Sequence, residues 1–132
     1  MNTDIKSRDK IIFGKYDPNA YMGGIRKFDG LTYNQLSKLI DGDFIDIDDA
    51  QNDGPTIAEL YEFASGDPTA YTFSGYTVSD RRSDYRVSID GITRELDWNG
   101  YTGADEIVAF AELVKLADEF EITQNGGNAW WD

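Results

Sequence analysis

The sequence contains no cysteine and no histidine. Without cysteine the chain can form no disulfide and offers no thiol nucleophile. Without histidine it lacks the imidazole of Ser-His-Asp triads and of most zinc sites. No apolar run approaches the length of a membrane span, and no apolar signal segment follows Met1. These absences favour a cytoplasmic protein with no membrane segment, no metal or other cofactor and no catalytic residues.

Basic residues are scarce as well, since 12 Lys and Arg stand against 25 Asp and Glu, for a net charge of −13. Residues 1–40 carry +3, whereas residues 41–132 carry −16. Two acidic segments, 41–67 and 95–132, hold nine acids each, and Lys115 is the single base in either. Such a field attracts cationic partners and repels nucleic acid and anionic membranes. A basic protein is therefore the expected partner, and direct nucleic-acid binding is not expected.

Aromatic residues are abundant, with eight Tyr, seven Phe and three Trp. An acidic disordered chain would contain few of them, so this composition indicates a folded protein with a substantial core. A length of 132 residues suits one domain. We therefore predict a single globular domain over residues 1–132.

Three helices are predicted. Thr32 opens a capping box ahead of a short helix over about 33–40, and Thr56 opens another ahead of a short helix over about 56–65. Apolar residues at helical spacing predict one long helix over about 104–120.

Strand signals occur at residues 11–13, 69–79, 85–96 and 120–132. Gly75 indicates a bulge in the second of these segments, and Asp90-Gly91 predicts the turn of a hairpin in the third. Strands joined by hairpins, with helices grouped around them, predict an α+β fold whose antiparallel sheet has about 4–5 strands.

The acidic stretch 41–53 does not fit a calcium-binding loop. An EF-hand frame starting at Asp49 places Leu60 where the loop requires a bidentate glutamate, so this frame fails. Neither the phosphate-binding P-loop nor the dinucleotide glycine pattern occurs. A solvated or partner-facing loop is the better interpretation.

These observations predict a non-catalytic acidic protein that docks on a basic, nucleic-acid-binding or nuclease-like protein and inhibits or regulates it. An inhibitor, an immunity protein or a nucleic-acid mimic would act in this way, with carboxylates that occupy phosphate positions and accelerate association. Phe44 or a terminal tryptophan would anchor the contact. Adjacent strand side chains point to opposite faces, so one terminal tryptophan should be buried and the other exposed. The predicted partner-binding residues are Asp41, Asp43, Phe44, Asp46, Asp48, Asp49, Asp53, Glu59, Glu62, Trp130 and Trp131.

Two other functions agree with the composition. An otherwise uncharacterised globular domain adapted to high salt would spread its acids over the whole surface. A small carboxylate-based hydrolase would hold two acids in a cleft and separate their pKa values. Whether the acidic segments 41–67 and 95–132 share one face distinguishes a binding surface from general acidity.

Overall fold

Five strands, β1 (Ile25–Thr32), β2 (Tyr71–Val78), β3 (Arg86–Arg94), β4 (Glu119–Thr123) and β5 (Gly126–Trp130), form one antiparallel sheet in the order β1-β2-β3-β5-β4. The helices are α1 (Ile5–Phe13), α2 (Tyr33–Asp41), α3 (Ile57–Ala64) and α4 (Gly100–Val114), with a short 3-10 helix at Pro18–Ala20. The computed structural model describes residues 1–132, apart from the side chains of residues 100–102. The result is one α+β domain, as the sequence predicts.

The core lies between the sheet and its helices. Phe73, Ile92 and Ala129 lie side by side across β2, β3 and β5 and pack in one cluster with helix residues such as Leu60 and Phe110. Because strand side chains alternate between faces, the residues flanking these positions point to the opposite face of the sheet. None of the described helices combines the length and apolar character needed to cross a membrane.

Both predicted capping boxes are present. The Gln35 N–H donates to Thr32 Oγ1 at 3.1 Å and the Thr32 N–H donates to Gln35 Oε1 at 2.9 Å. Thr56 and Glu59 make the same reciprocal pair at the start of α3, with both distances 3.1 Å. These bonds satisfy N–H groups that have no partner within the helix, which explains why the two starts could be located from sequence.

The strand predicted at residues 11–13 is wrong, because these residues form the last turn of α1. The buried side of α1 consists of Ile5, Arg8, Asp9 and Ile12, which follow helical spacing. Two of these four residues are charged and pair with each other, Arg8 Nε donating to Asp9 Oδ1 at 2.9 Å. An apolar pattern alone therefore does not reveal the helix.

Buried polar side chains form a hydrogen-bond network where α1 packs against the sheet. Arg8 also donates to the Val78 carbonyl and to the Tyr21 hydroxyl, each at 2.9 Å, and Tyr21 donates to Asp9. Burial, together with the hydrogen bond to Asp9, raises the pKa of Tyr21 to about 12. This network anchors the first helix and thereby the basic N-terminal part of the chain.

The hairpin predicted at 85–96 is also wrong. β3 runs straight through Asp90-Gly91, and Asp90 is an extra residue because Gly91 lies opposite Ser74 and Ile89 lies opposite Gly75. A second irregularity sets Asp29-Gly30 of β1 opposite the same Ser74. Asp-Gly pairs suit bulges as well as tight turns, and both pairs serve as bulges here.

The long helix begins and ends earlier than predicted. α4 ends at Val114, and β4 starts at Glu119, within the range 104–120 assigned to a helix. The turn after β4 leads into β5 as predicted, whereas β1 was missed because charged side chains interrupt its apolar residues.

Candidate functional site

The acidic stretch 41–53 begins at the end of α2 and continues through the loop that leads to α3. Its aspartates are exposed except Asp49, which is half-buried. Two of them serve local structure. Asp43 lies 3.6 Å from the N-terminal amine, and Asp46 accepts a hydrogen bond from the Asp48 N–H at 3.0 Å.

Phe44 does not form the predicted anchor. Its side chain is only 4% exposed and lies in the core cluster beside Ile45. The same acidic stretch thus supplies apolar residues to the core, and this fixes the loop against the domain.

The terminal tryptophans divide as predicted, with Trp130 43% exposed and Trp131 2% exposed. Trp131 donates its backbone N–H to the Asp90 carbonyl at 2.8 Å. A Cβ atom added to Gly54 would lie 3.1 Å from Trp131 Cγ, so the ring packs directly beneath the backbone there. Trp131 therefore supports the loop, and its assignment as a partner contact is corrected.

A groove of about 430 Å³ separates the start of α3 from α4. We call it the α3–α4 groove. Its apolar lining includes Phe63, Leu113 and Leu116, and Leu116 is 62% exposed although it is a large apolar side chain. The complete lining is Asp53, Gly54, Pro55, Glu59, Phe63, Ala109, Glu112, Leu113, Lys115 and Leu116.

Acids from both acidic segments meet at the α3–α4 groove. Asp53 and Glu59 come from segment 41–67, and Glu112 comes from segment 95–132. The single base in the lining, Lys115, donates to Glu112 Oε1 at 2.6 Å and leaves the other two carboxylates without a cation in the groove. The groove thus combines apolar side chains with a net negative lining.

The other predicted acids lie outside this groove. Glu62 is exposed on α3 but does not line it, and neither do the aspartates from 41 to 49. Within the described side chains, no group of three or more acids is arranged to hold a metal ion.

A buried arginine links the two helices that form the groove. Arg94, only 2% exposed, donates to Glu106 Oε2 at 2.6 Å and to Asp67 Oδ2 at 3.1 Å. Glu106 belongs to α4, and Asp67 follows the end of α3. Tyr71 also donates to Glu106 Oε2, at 2.5 Å, and burial raises the pKa of this tyrosine. We call this set the Arg94 clamp.

Sequence reasoning missed the role of this arginine. The position of Arg94 in β3 gives no local indication that its partners lie in α4 and after α3. Arg82 and Arg86 do pair locally, both with Asp84. An arginine on the apolar face of a strand could have indicated a buried ion pair, since a buried charge needs a partner.

The fold and site define a small α+β protein whose sheet carries helices on its core face and an acidic groove between two of them. The chain matches no protein-family model, and comparison with curated proteins and with solved structures finds no significant match.

Proposed function

We propose that this chain is a non-catalytic acidic binding protein that docks on a basic protein partner and inhibits or regulates it. The partner would be a nucleic-acid-binding or nuclease-like protein, and the chain would act as an inhibitor, an immunity protein or a nucleic-acid mimic acts. The supporting observation is the meeting of both acidic segments at the α3–α4 groove.

The lining of the groove supports a particular kind of contact. Covering apolar side chains that are exposed to solvent is favourable in free energy, and Leu116 is such a side chain. Carboxylates beside these apolar side chains favour a partner with basic residues next to its own apolar ones. An amphipathic basic helix has that pattern and can bind in a groove between two helices.

The net charge of −13 supports the same partner through its effect on association. A field of this strength steers a basic protein towards the surface and raises the association rate at low salt. The alternative function, adaptation to high salt, predicts acids spread evenly over the surface. The meeting of acids from both acidic segments beside one apolar groove favours a binding surface over that alternative.

The proposal is tested with a defined basic probe before any natural partner is known. An 18-residue amphipathic helical peptide of Lys and Leu is titrated at several salt concentrations, and a peptide of Glu and Leu with the same pattern is the comparison. We expect the Lys peptide to bind, with an affinity that falls as salt rises. Equal binding of the Glu peptide would contradict an electrostatic groove.

A pair of double variants locates the binding surface. Asp53→Asn/Glu112→Gln removes two charges that line the groove, whereas Asp41→Asn/Asp48→Asn removes two exposed charges outside it. Both change the net charge equally, so a general field effect cancels. We expect the groove variant to bind the Lys peptide more weakly at low salt than the other variant does, and to lose more of the salt dependence. Identical losses in the two variants would mean that the groove is not the interface.

The regulatory half of the proposal needs the natural partner. Proteins retained from a lysate of the source cells by the wild type, but not by the groove variant, would be purified and assayed for nucleic-acid binding or cleavage. We expect a basic protein whose activity falls when the wild type is added. Unchanged activity at saturating concentration would contradict inhibition.

A further inference from the structure

A second concave surface lies on the sheet face opposite the helices. Ala129 packs in the core, so its neighbour Trp130 points to the opposite face, where it is exposed. Beside Trp130 is a depression of about 380 Å³, which we call the Trp130 pocket. It is lined by Lys27, Phe28, Asp29, Ser74, Gly75, Asp90 and Trp130.

The two bulges of the sheet create this pocket. Both Asp-Gly pairs lie opposite Ser74, which brings Asp29 and Asp90 to its two sides. Ser74 Oγ donates to Asp90 Oδ1 at 2.9 Å and holds that carboxylate in place. The sequence reasoning placed a turn at one of these pairs and so could not predict the pocket.

Glycine at position 91 leaves room for the Ser74 hydroxyl beside Trp130. Gly91 is the direct neighbour of Trp130 on β3, and a Cβ atom there would lie 2.3 Å from Ser74 Oγ. On the other side of Trp130, its direct neighbour on β4 is Glu119, which is exposed. The indole therefore has a carboxylate on one side and a cavity on the other.

The charges around Trp130 favour a cation. Asp29 and Asp90 line the pocket, and Glu119 lies opposite Trp130 on β4, whereas Lys27 is the one base in the lining. Neither Asp29 nor Lys27 forms an ion pair within the described residues. An exposed indole attracts a cation to its face, and a planar guanidinium can stack on it while it donates to carboxylates at its edge.

We propose that the Trp130 pocket binds an arginine side chain of the basic partner, with the guanidinium stacked on Trp130 and donating to Asp90 and Asp29. This inference rests on the proposed function for the identity of the partner, but it uses a surface separate from the α3–α4 groove. The pocket would select arginine over other residues, which the groove, with its apolar side chains, does not do.

The experiment uses a short probe, the peptide acetyl-Gly-Arg-Gly-amide, and its citrulline analogue, which has nearly the same shape and no charge. Binding is followed by the indole N–H signals in a 15N correlation spectrum, where the Trp130 signal is the one missing in Trp130→Phe. We expect the arginine peptide to shift the Trp130 signal saturably while the Trp98 and Trp131 signals stay unchanged. The citrulline peptide should give no saturable shift.

Asp90→Asn tests the carboxylate, with Asp80→Asn as an exposed control of equal charge change outside the pocket. Asparagine keeps an oxygen that can accept the Ser74 hydrogen bond, so the fold should be retained. We expect Asp90→Asn to weaken binding of the arginine peptide at least about threefold and Asp80→Asn to leave it unchanged. Equal binding of the citrulline peptide, equal effects of the two variants or an unmoved Trp130 signal would overturn the proposal.

Failure here can be distinguished from failure of the proposed function. The Lys and Leu peptide contains no arginine, so Asp90→Asn should bind it as the wild type does. The groove variant Asp53→Asn/Glu112→Gln should in turn retain the arginine peptide. If the wild type binds the arginine peptide but not the Lys peptide, the groove proposal fails and the pocket proposal stands. If it binds the Lys peptide but not the arginine peptide, the pocket proposal fails and the groove proposal stands.

Discussion

Replacing Arg94 with methionine removes the centre of the Arg94 clamp. The arginine donates through Nη1 to both Asp67 and Glu106, and through Nε and Nη2 to the carbonyls of Leu96 and Asp97 at 3.0 and 2.8 Å. Methionine fills a similar volume but leaves all four acceptors without this donor. We therefore expect Arg94→Met to be among the most destabilising single substitutions in the chain.

The size of the loss follows from the burial of the partners. Removing one member of a buried ion pair costs about 3–5 kcal/mol, because the remaining charge stays desolvated. The Asp67 and Glu106 side chains retain 26% and 21% exposure, so partial rehydration places the expected loss near the lower limit, about 3 kcal/mol. Against a total stability of about 5–15 kcal/mol for a domain, this is a large fraction.

Urea denaturation followed by tryptophan fluorescence measures this loss as a lower midpoint at constant slope. Arg82→Met is the control, since Arg82 and its partner Asp84 are both 41% exposed and such pairs contribute about 0–1 kcal/mol. The reasoning is refuted if the two substitutions cost the same. Arg94 does not line the α3–α4 groove. We nevertheless expect Arg94→Met to weaken binding of the Lys peptide, because the Arg94 clamp positions both helices.

Two further predictions concern pH and packing. Folded Tyr21 has a pKa of about 12, whereas an unfolded tyrosine has a pKa of about 10. The stability that its neutral form contributes is therefore complete below about pH 10 and is lost as the pH rises towards 12. Over this pH range the urea midpoint should fall less steeply in Tyr21→Phe than in the wild type, and equal slopes would contradict the raised pKa. Gly75→Ala would place a Cβ atom 1.9 Å from the Ser88 carbonyl oxygen, so we expect a loss of about 1–3 kcal/mol in the same urea assay. At Gly66 the nearest contact of a Cβ atom is an ordinary 3.6 Å, and an equally large effect of Gly66→Ala would show that the close approach at Gly75 is not the cause.

Local chemistry made part of the fold predictable. The starts of α2 and α3 depend on bonds between Thr and a Gln or Glu three residues later, and such bonds form from neighbouring residues alone. The hairpin of β4 and β5 likewise depends on a short polar turn. The predicted fold class followed from these elements and is confirmed.

Long-range partners decided the elements that were missed. Arg8 and Asp9 occupy buried positions of α1 because Tyr21 and the Val78 carbonyl complete their hydrogen bonds, and none of these partners is adjacent in sequence. Asp90-Gly91 becomes a bulge because β2 continues alongside it. The local sequence is compatible with both outcomes in each case.

The negative charge of the candidate site could be predicted from the sequence, but the set of residues that line it could not. Asp53 and Glu59 lie at the groove, whereas Glu112 joins them only because α4 packs beside α3. Phe44 and Trp131 were assigned to a partner and instead pack inside the domain. An apolar residue in an acidic stretch gives no local indication of whether the fold or a partner covers it.

The paired bulges opposite Ser74 also have a consequence for how the chain folds. A strand can misalign by one residue when its neighbours offer equivalent pairings, and every side chain then moves to the wrong face. Here β2 lies between two strands that each carry one extra residue at the same level. A slipped β2 would place a residue other than Ser74 opposite both irregularities and leave Asp90 without its hydrogen bond from Ser74. The bulges thus favour the native register of β2 over a register shifted by one residue.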